Sequence, residues 1–405
     1  MIIMIRAAAI LWVLSAVVCV GKGHHYFCHV QNTTVERFLS GTAMMISANN
    51  EFAFHLYREL SELSDYQGKN IFFSPIAVFV ALADLSVGAR GETHQQILNV
   101  LGLNSSQLSQ TDVEEPICDI VNSKQANEAL TAGTTVFVDD LFKPQPEFLD
   151  VLNQFKIADY RSVDFTKPID AASTINKYVS DKTNGTINKV VDSLDPSTVL
   201  YVLSYIYYKA KWVIGFDPAL TKLDEFNVDE NEKVSVQMMK VEEYFYTFDE
   251  EISTFVLNLP FNNSFTMLLL MPDNMTTLEN MISPTHVDKW LNVTESSECG
   301  IYIPKFSIKT SYTLNDVLKE MGMTDMFDHA NLSGISEVQN LSVSEVVHRA
   351  ALDVDEAGAT AKEIAIFESA CLMPDLKFNS PFMLMIVERS TETILFMGKI
   401  SNPNL

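Results

Sequence analysis

The residue types that could do chemistry are scattered along this chain rather than gathered into a motif. His24, His25, Cys28 and His29 crowd one short stretch and are donor types that a transition metal takes. A terminal stretch offers no second shell of partners to fix such ligands, so they are read as a polar tail and no metal site is expected. Asp353, Asp355 and Glu356 are of the type used in general acid–base work, but with a formal net charge of -24 carboxylates meet by chance all over the surface. There is no Gly-x-Ser-x-Gly elbow, no phosphate-cradling glycine loop, no His-Glu-x-x-His and no Cys-x-x-Cys. The expectation is a protein that is not an enzyme and uses no cofactor.

The same charge argues against nucleic acid, polyanions and anionic membranes as partners, because each is bound through clustered Lys and Arg. Behind Arg6 lies an apolar run from Ala7 to Val20, closed by Gly21-Lys22-Gly23. It is shorter than the roughly 20 residues that a bilayer core requires, and it has the layout of a secretory signal. Residues 1–23 are therefore read as a signal peptide, 24–46 as an N-terminal tail and 47–405 as one domain. Sequons at Asn32, Asn104, Asn184, Asn262, Asn274, Asn292, Asn331 and Asn340 fit an extracellular glycoprotein. Cys28, Cys118, Cys299 and Cys371 are too few and too dispersed to form a disulfide framework.

The elements that must position any site are mixed. Ser47 to Glu62 carries Phe52, Phe54, Leu56 and Leu60 at helical spacing, and Ser74-Pro75 opens an apolar run to Val87 that suits a buried helix ended by Gly88. Thr93 to Leu101 reads as a shorter helix stopped by Gly102. Val199 to Tyr208, Phe265 to Met271, Phe382 to Val387 and Ile394 to Met397 are aromatic and β-branched runs, apolar on both faces like central strands. The fold class is α+β, with strands dominating the C-terminal half.

Segments in order along the chain resemble the serpin family. They include Asn70-Ile71-Phe72-Phe73-Ser74-Pro75, Leu85 to Thr93, Tyr208-Lys209-Ala210-Lys211-Trp212, Tyr302-Ile303-Pro304-Lys305-Phe306, Val347-His348-Arg349-Ala350, Asp355-Glu356-Ala357-Gly358, Lys377 to Phe382 and Leu395 to Lys399. The resemblance is strongest to the plasma branch of antitrypsin-like inhibitors and hormone-binding globulins. It implies three β-sheets, about nine helices and an exposed reactive-centre loop at 357–377. It also implies a trap, in which a protease cleaves the loop and is carried away as the loop enters the main sheet as a new strand. The partner would be an extracellular serine protease held in a covalent complex, and the inhibitor a secreted monomer.

Alternate loop residues must face the core on insertion, and in the family register these are Ala359, Ala361, Glu363, Ala365 and Phe367. Small alanines and the hinge Gly358 suit a sliding strand. Glu363 does not, since burial of an unpaired carboxylate costs several kcal/mol. Counting from Glu356 places the scissile bond at Leu372-Met373, whereas counting back from Phe378 places it at Ala370-Cys371. The first suits a chymotrypsin-like and the second an elastase-like pocket.

The resemblance pairs Glu356 with Lys305 beside Trp212 at the top of the sheet, the breach. It places Ser74 and His348 in the shutter, where Ala77 and Ser204 depart from the customary serine and asparagine. The alternative function is carriage of a small hydrophobic hormone, thyroxine or a corticosteroid. Against it, Glu392 stands where the carriers have a ligand-contacting Arg or Trp, and the surroundings of Trp290 differ from the thyroxine carrier's.

Overall fold

The computed structural model describes residues 32–103, 130–155, 158–241, 244–292, 296–297, 300–338, 340–360 and 375–405. Ser40–Leu405 packs as one compact unit; Met1–Leu39 is a separate unit, in which only the start of the first helix is described. That helix runs Asn32–Glu62 and begins well before the Ser47 expected from the sequence. Val35, Phe38, Leu39, Thr42 and Met45 continue its spacing upstream, and Met45 is fully buried.

Helix Pro75–Gly88 is the axis of the molecule. Its cap Ser74 accepts from the Ala77 N–H, and Pro75 at the first turn has no N–H to leave orphaned. Every residue except Ala77 is buried, as a helix without a polar face requires. Its last residue must be glycine, because a Cβ at Gly88 would lie 2.2 Å from Ile335 Cγ1. The next helix is Gly91–Val100, and Gly102 follows it at φ +70°, a left-handed turn that glycine adopts without strain.

The described residues form three sheets, a two-stranded ribbon and nine α-helices, and helix Pro75–Gly88 packs against strands of the main and the seven-stranded sheets. The main sheet has the order Phe306–Thr313, Glu345–Val354, Leu200–Tyr208, Leu130–Asp139, Asp159–Val163. A seven-stranded sheet contains the C-terminal hairpin Phe382–Glu388 and Ile394–Ile400, and Ile71–Phe73 pairs with its last strand. A four-stranded sheet joins Leu376–Lys377, Ile301–Pro304, Lys233–Val241 and Lys222–Asn227.

Within the main sheet, Glu345–Val354 and Leu200–Tyr208 are parallel and directly paired, from Glu345 opposite Tyr201 to Leu352 opposite Tyr208. All its other pairings are antiparallel except that of the edge strand Asp159–Val163. This parallel seam is covered on both faces. The principal core and helix Pro75–Gly88 lie beneath it. Above it, a second core packs Ala171, Ile175 and Val179 of helix Pro168–Lys182, and Val190, Val191 and Leu194 beyond it, onto Tyr201, Leu203, Tyr205 and Val347.

Candidate functional site

The chain leaves the seam at Val354 and enters the loop, and the first root of that loop is held at the breach. Trp212 N–H donates to Ala357 O at 3.0 Å, Phe216 N–H to Glu356 O at 3.1 Å, and the Trp212 indole N–H to Asp355 O at 2.8 Å. Trp212 is itself fixed by stacking on Phe261, ring centres 4.4 Å apart. Glu356 receives Lys305 Nζ at 2.7 Å on one oxygen and Thr221 Oγ1 at 3.0 Å on the other. Burial opposes ionisation of Glu356, but these hydrogen bonds outweigh it and hold the carboxyl below its usual range. The same bond raises Lys305. Gly358–Thr360 then pairs in parallel with Trp212–Ile214, leading the chain away from the seam.

The second root returns at Leu376–Lys377, paired in parallel with Ile301 and Tyr302. Lys377 Nζ meets Asp224 Oδ2 at 2.5 Å, and Asn227 donates both its backbone N–H and its side-chain amide to Asn379 O. One segment, Thr221 to Asn227, therefore holds both ends of the loop.

The shutter lies at mid-seam. His348 projects beneath the sheet and is fully buried. Its Nε2 accepts from the Ser74 backbone N–H at 3.0 Å, which obliges the ring proton to sit on Nδ1 and to be donated to Ser204 Oγ at 2.7 Å. Ser204 is on one seam strand and His348 on the other, so the bond latches them together. Burial, with the nearby Arg349 charge, pushes the imidazole down to about 3, and it is neutral at physiological pH. A Ser–His contact at this distance is the geometry of a nucleophile and its base. Here the ring nitrogen facing the hydroxyl carries the proton, both groups are inaccessible, and the pair has no catalytic competence.

Of the other sites read from the sequence, Gly358 and Ala359 lie in the ribbon, while Ala361, Glu363, Ala370, Cys371, Leu372 and Met373 lie outside the described residues. Asn32 begins the first helix and Asn104 lies outside the described residues. Asn184, Asn262, Asn274, Asn292, Asn331 and Asn340 are all exposed, Asn184 and Asn340 at positive φ in turns. Among the described residues, no group of His, Cys, Asp and Glu could hold a metal, and no helix is long and apolar enough to cross a membrane. In the region compared with the hormone carriers, Trp290 is fully buried and donates its indole N–H to the Asp249 carboxylate, which also pairs with Lys289. Glu392 sits at φ 62°, its carbonyl accepting from Asn50.

Sequence reasoning missed Thr221, Asp224 and Asn227, which are ordinary surface residues until the fold brings the loop roots to them. It also missed Asp84, an acid inside the apolar run from Pro75. Both its oxygens are buried without a hydrogen-bond partner, and desolvation raises its carboxyl well above the usual value. That acid was visible as a break in the pattern.

The described geometry is shared with known proteins. The family model described as Serpin (serine protease inhibitor) matches residues 47–403. The chain is 36% identical over 391 residues to Serpin A3-6 of Bos taurus, covering 93% of this chain and 94% of that protein. The mouse protein-Z dependent protease inhibitor superposes with a TM-score of 0.84 at 29% identity, covering 91% of this chain and all of that one. Human thyroxine-binding globulin, solved with its hormone, superposes at 0.83 with 31% identity, covering 90% of this chain and all of that one. With a parallel seam, two anchored loop roots and a match along nearly all of its length, the chain belongs to the serpin family.

Proposed function

We propose that the protein is a secreted inhibitor of serine proteases with a chymotrypsin- or elastase-like specificity pocket, acting by cleavage and insertion of its loop. The observation that carries this reading is the seam. A strand that doubles back after Val354 would lie antiparallel to both seam strands, replacing one parallel pairing of eight positions by two antiparallel ones. Antiparallel pairing is the more stable per residue, so insertion runs downhill once cleavage frees the loop. The first root supports the same reading, because its described contacts with Trp212, Phe216, Lys305 and Thr221 are hydrogen bonds and an ion pair. Relatives bearing inhibitor names add to it.

The test is to mix the mature protein separately with chymotrypsin and pancreatic elastase. Inhibition predicts an adduct that survives boiling in detergent, and the first residue of the released C-terminal peptide identifies the bond as Leu372-Met373 or Ala370-Cys371. Cleavage without an adduct contradicts it. The second reading, a carrier of a small hydrophobic hormone, is favoured by the likeness to thyroxine-binding globulin. Thyroxine and cortisol are the ligands to screen if no adduct forms.

A further inference from the structure

The last positions of the seam carry a carboxylate that a strand interior would not select. Asp353 is the only acid from Val346 to Val354, and aspartate is among the residues least suited to a strand. Both its oxygens are taken. Ser307 Oγ, on the edge strand Phe306–Thr313, donates to Oδ1 at 2.7 Å, and the Tyr207 phenol, on Leu200–Tyr208, donates to Oδ2 at 3.1 Å. One carboxylate therefore ties three neighbouring strands together.

The two bonds differ in what they cross. Ser307 is the registered partner of Asp353, and their strands stay neighbours when a new strand enters the seam. Tyr207 lies opposite Ala351 across the seam and reaches along the same face to Asp353. Alternation sets Tyr207 and Asp353 on the face opposite to Ser204 and His348. The seam is thus bridged on its inner face at mid-length, and on its outer face at the end from which the loop departs. An entering strand would move the two seam strands from about 4.8 Å to about 10 Å apart, beyond the reach of that hydrogen bond.

Packing does not require the hydroxyl, because Tyr207 is half-buried and phenylalanine would place the same ring there. Burial, and after it the Asp353 charge and the bond to it, push the phenol up to about 12, so the donor keeps its proton across the physiological range.

We propose that Tyr207 and Asp353 are positioning residues that latch the outer face of the seam at its upper end, and that parting of their hydrogen bond is a step that limits strand entry. The proposal rests on the insertion reading above, and its own test separates the two.

The probe is a synthetic peptide of the sequence Gly358 to Phe367, offered to the intact mature protein while uptake is followed by native electrophoresis. Hydrogen exchange is measured in parallel on Ala350–Val354 and on Glu345–Val347. Y207F removes only the hydroxyl and should speed uptake on the order of fivefold, as loss of one hydrogen bond to a partly exposed carboxylate implies. Its amides at Ala350–Val354 should exchange faster while those of Glu345–Val347 stay unchanged. S307A removes the companion bond to the same carboxylate without touching the seam, and should leave uptake as it was. Unchanged uptake in Y207F would overturn the latch, as would equal acceleration in S307A, which marks a merely structural role. If the unaltered protein takes up no peptide, the insertion reading fails, and exchange at Ala350–Val354 in Y207F alone decides the latch. D353N, which takes the charge from the same bond, stands in for Y207F under the same criteria if the latter does not fold.

Discussion

The shutter and the breach lie at the middle and the end of the same seam strand and are held by different kinds of contact. At the shutter a neutral, fully buried imidazole joins helix Pro75–Gly88 to both seam strands. At the breach a Lys–Glu pair with a 44% exposed lysine holds the loop root, beside the backbone and indole hydrogen bonds of the buried Trp212. Buried hydrogen bonds are expensive to break singly, whereas exposed ion pairs are cheap and screened by salt. The insertion reading therefore predicts opening from the top, where the ion pair yields at least cost, and resistance in the middle.

The largest expected effect that tests this contrast is at the shutter. H348A leaves the Ser74 N–H and the Ser204 hydroxyl unpartnered, and should cost roughly 3 kcal/mol in urea unfolding. A loss no greater than that of a breach variant would abolish the distinction. Next in size is Asp84 in the same helix. Its folded-state pKa is raised, so it imposes no penalty below its unfolded value near 3.8, and stability is lost as pH rises above that. D84N or D84L should stabilise the protein by about 2 kcal/mol at pH 8 and by almost nothing at pH 4. An equal gain at both pH values would mean that packing, not charge, is the cause.

The imidazole carries the opposite sign. The His348 pKa is depressed from 6.5 to about 3, so its contribution is complete above 6.5 and is lost as pH falls through that window. The loss should be about 1.4 kcal/mol per pH unit, and H348Q should flatten the stability profile there. Smallest is the breach. E356Q should cost under about 1 kcal/mol, and raising the salt concentration should erode even that. A salt-independent cost as large as that of H348A would show that the breach, not the shutter, is the principal lock.

How much of this was legible in the sequence follows from how locally each feature is determined. The buried helix and the strand at Leu200–Tyr208 announced themselves because uninterrupted apolar runs have few folded solutions. Lys305, Glu356, Trp212 and His348 were found by resemblance, and nothing in their local spacing would have paired them across the chain. Arg349 stands beside His348 in sequence, yet its partner Val190 emerges only once helix Pro168–Lys182 is laid across the sheet. The first helix starts at Asn32 rather than Ser47, and the apolar spacing of Val35, Phe38 and Leu39 upstream is the signal in the sequence that carries it there.

The central claim is that the parallel seam is built to accept a strand, and a thermal melt before and after proteolytic nicking of the loop tests it most directly. The account predicts that the cleaved protein melts higher by more than about 10 °C, because two antiparallel pairings replace one parallel pairing. An unchanged midpoint after complete cleavage within 357–377 would show that the seam stays shut, and would contradict insertion as the working principle of this molecule.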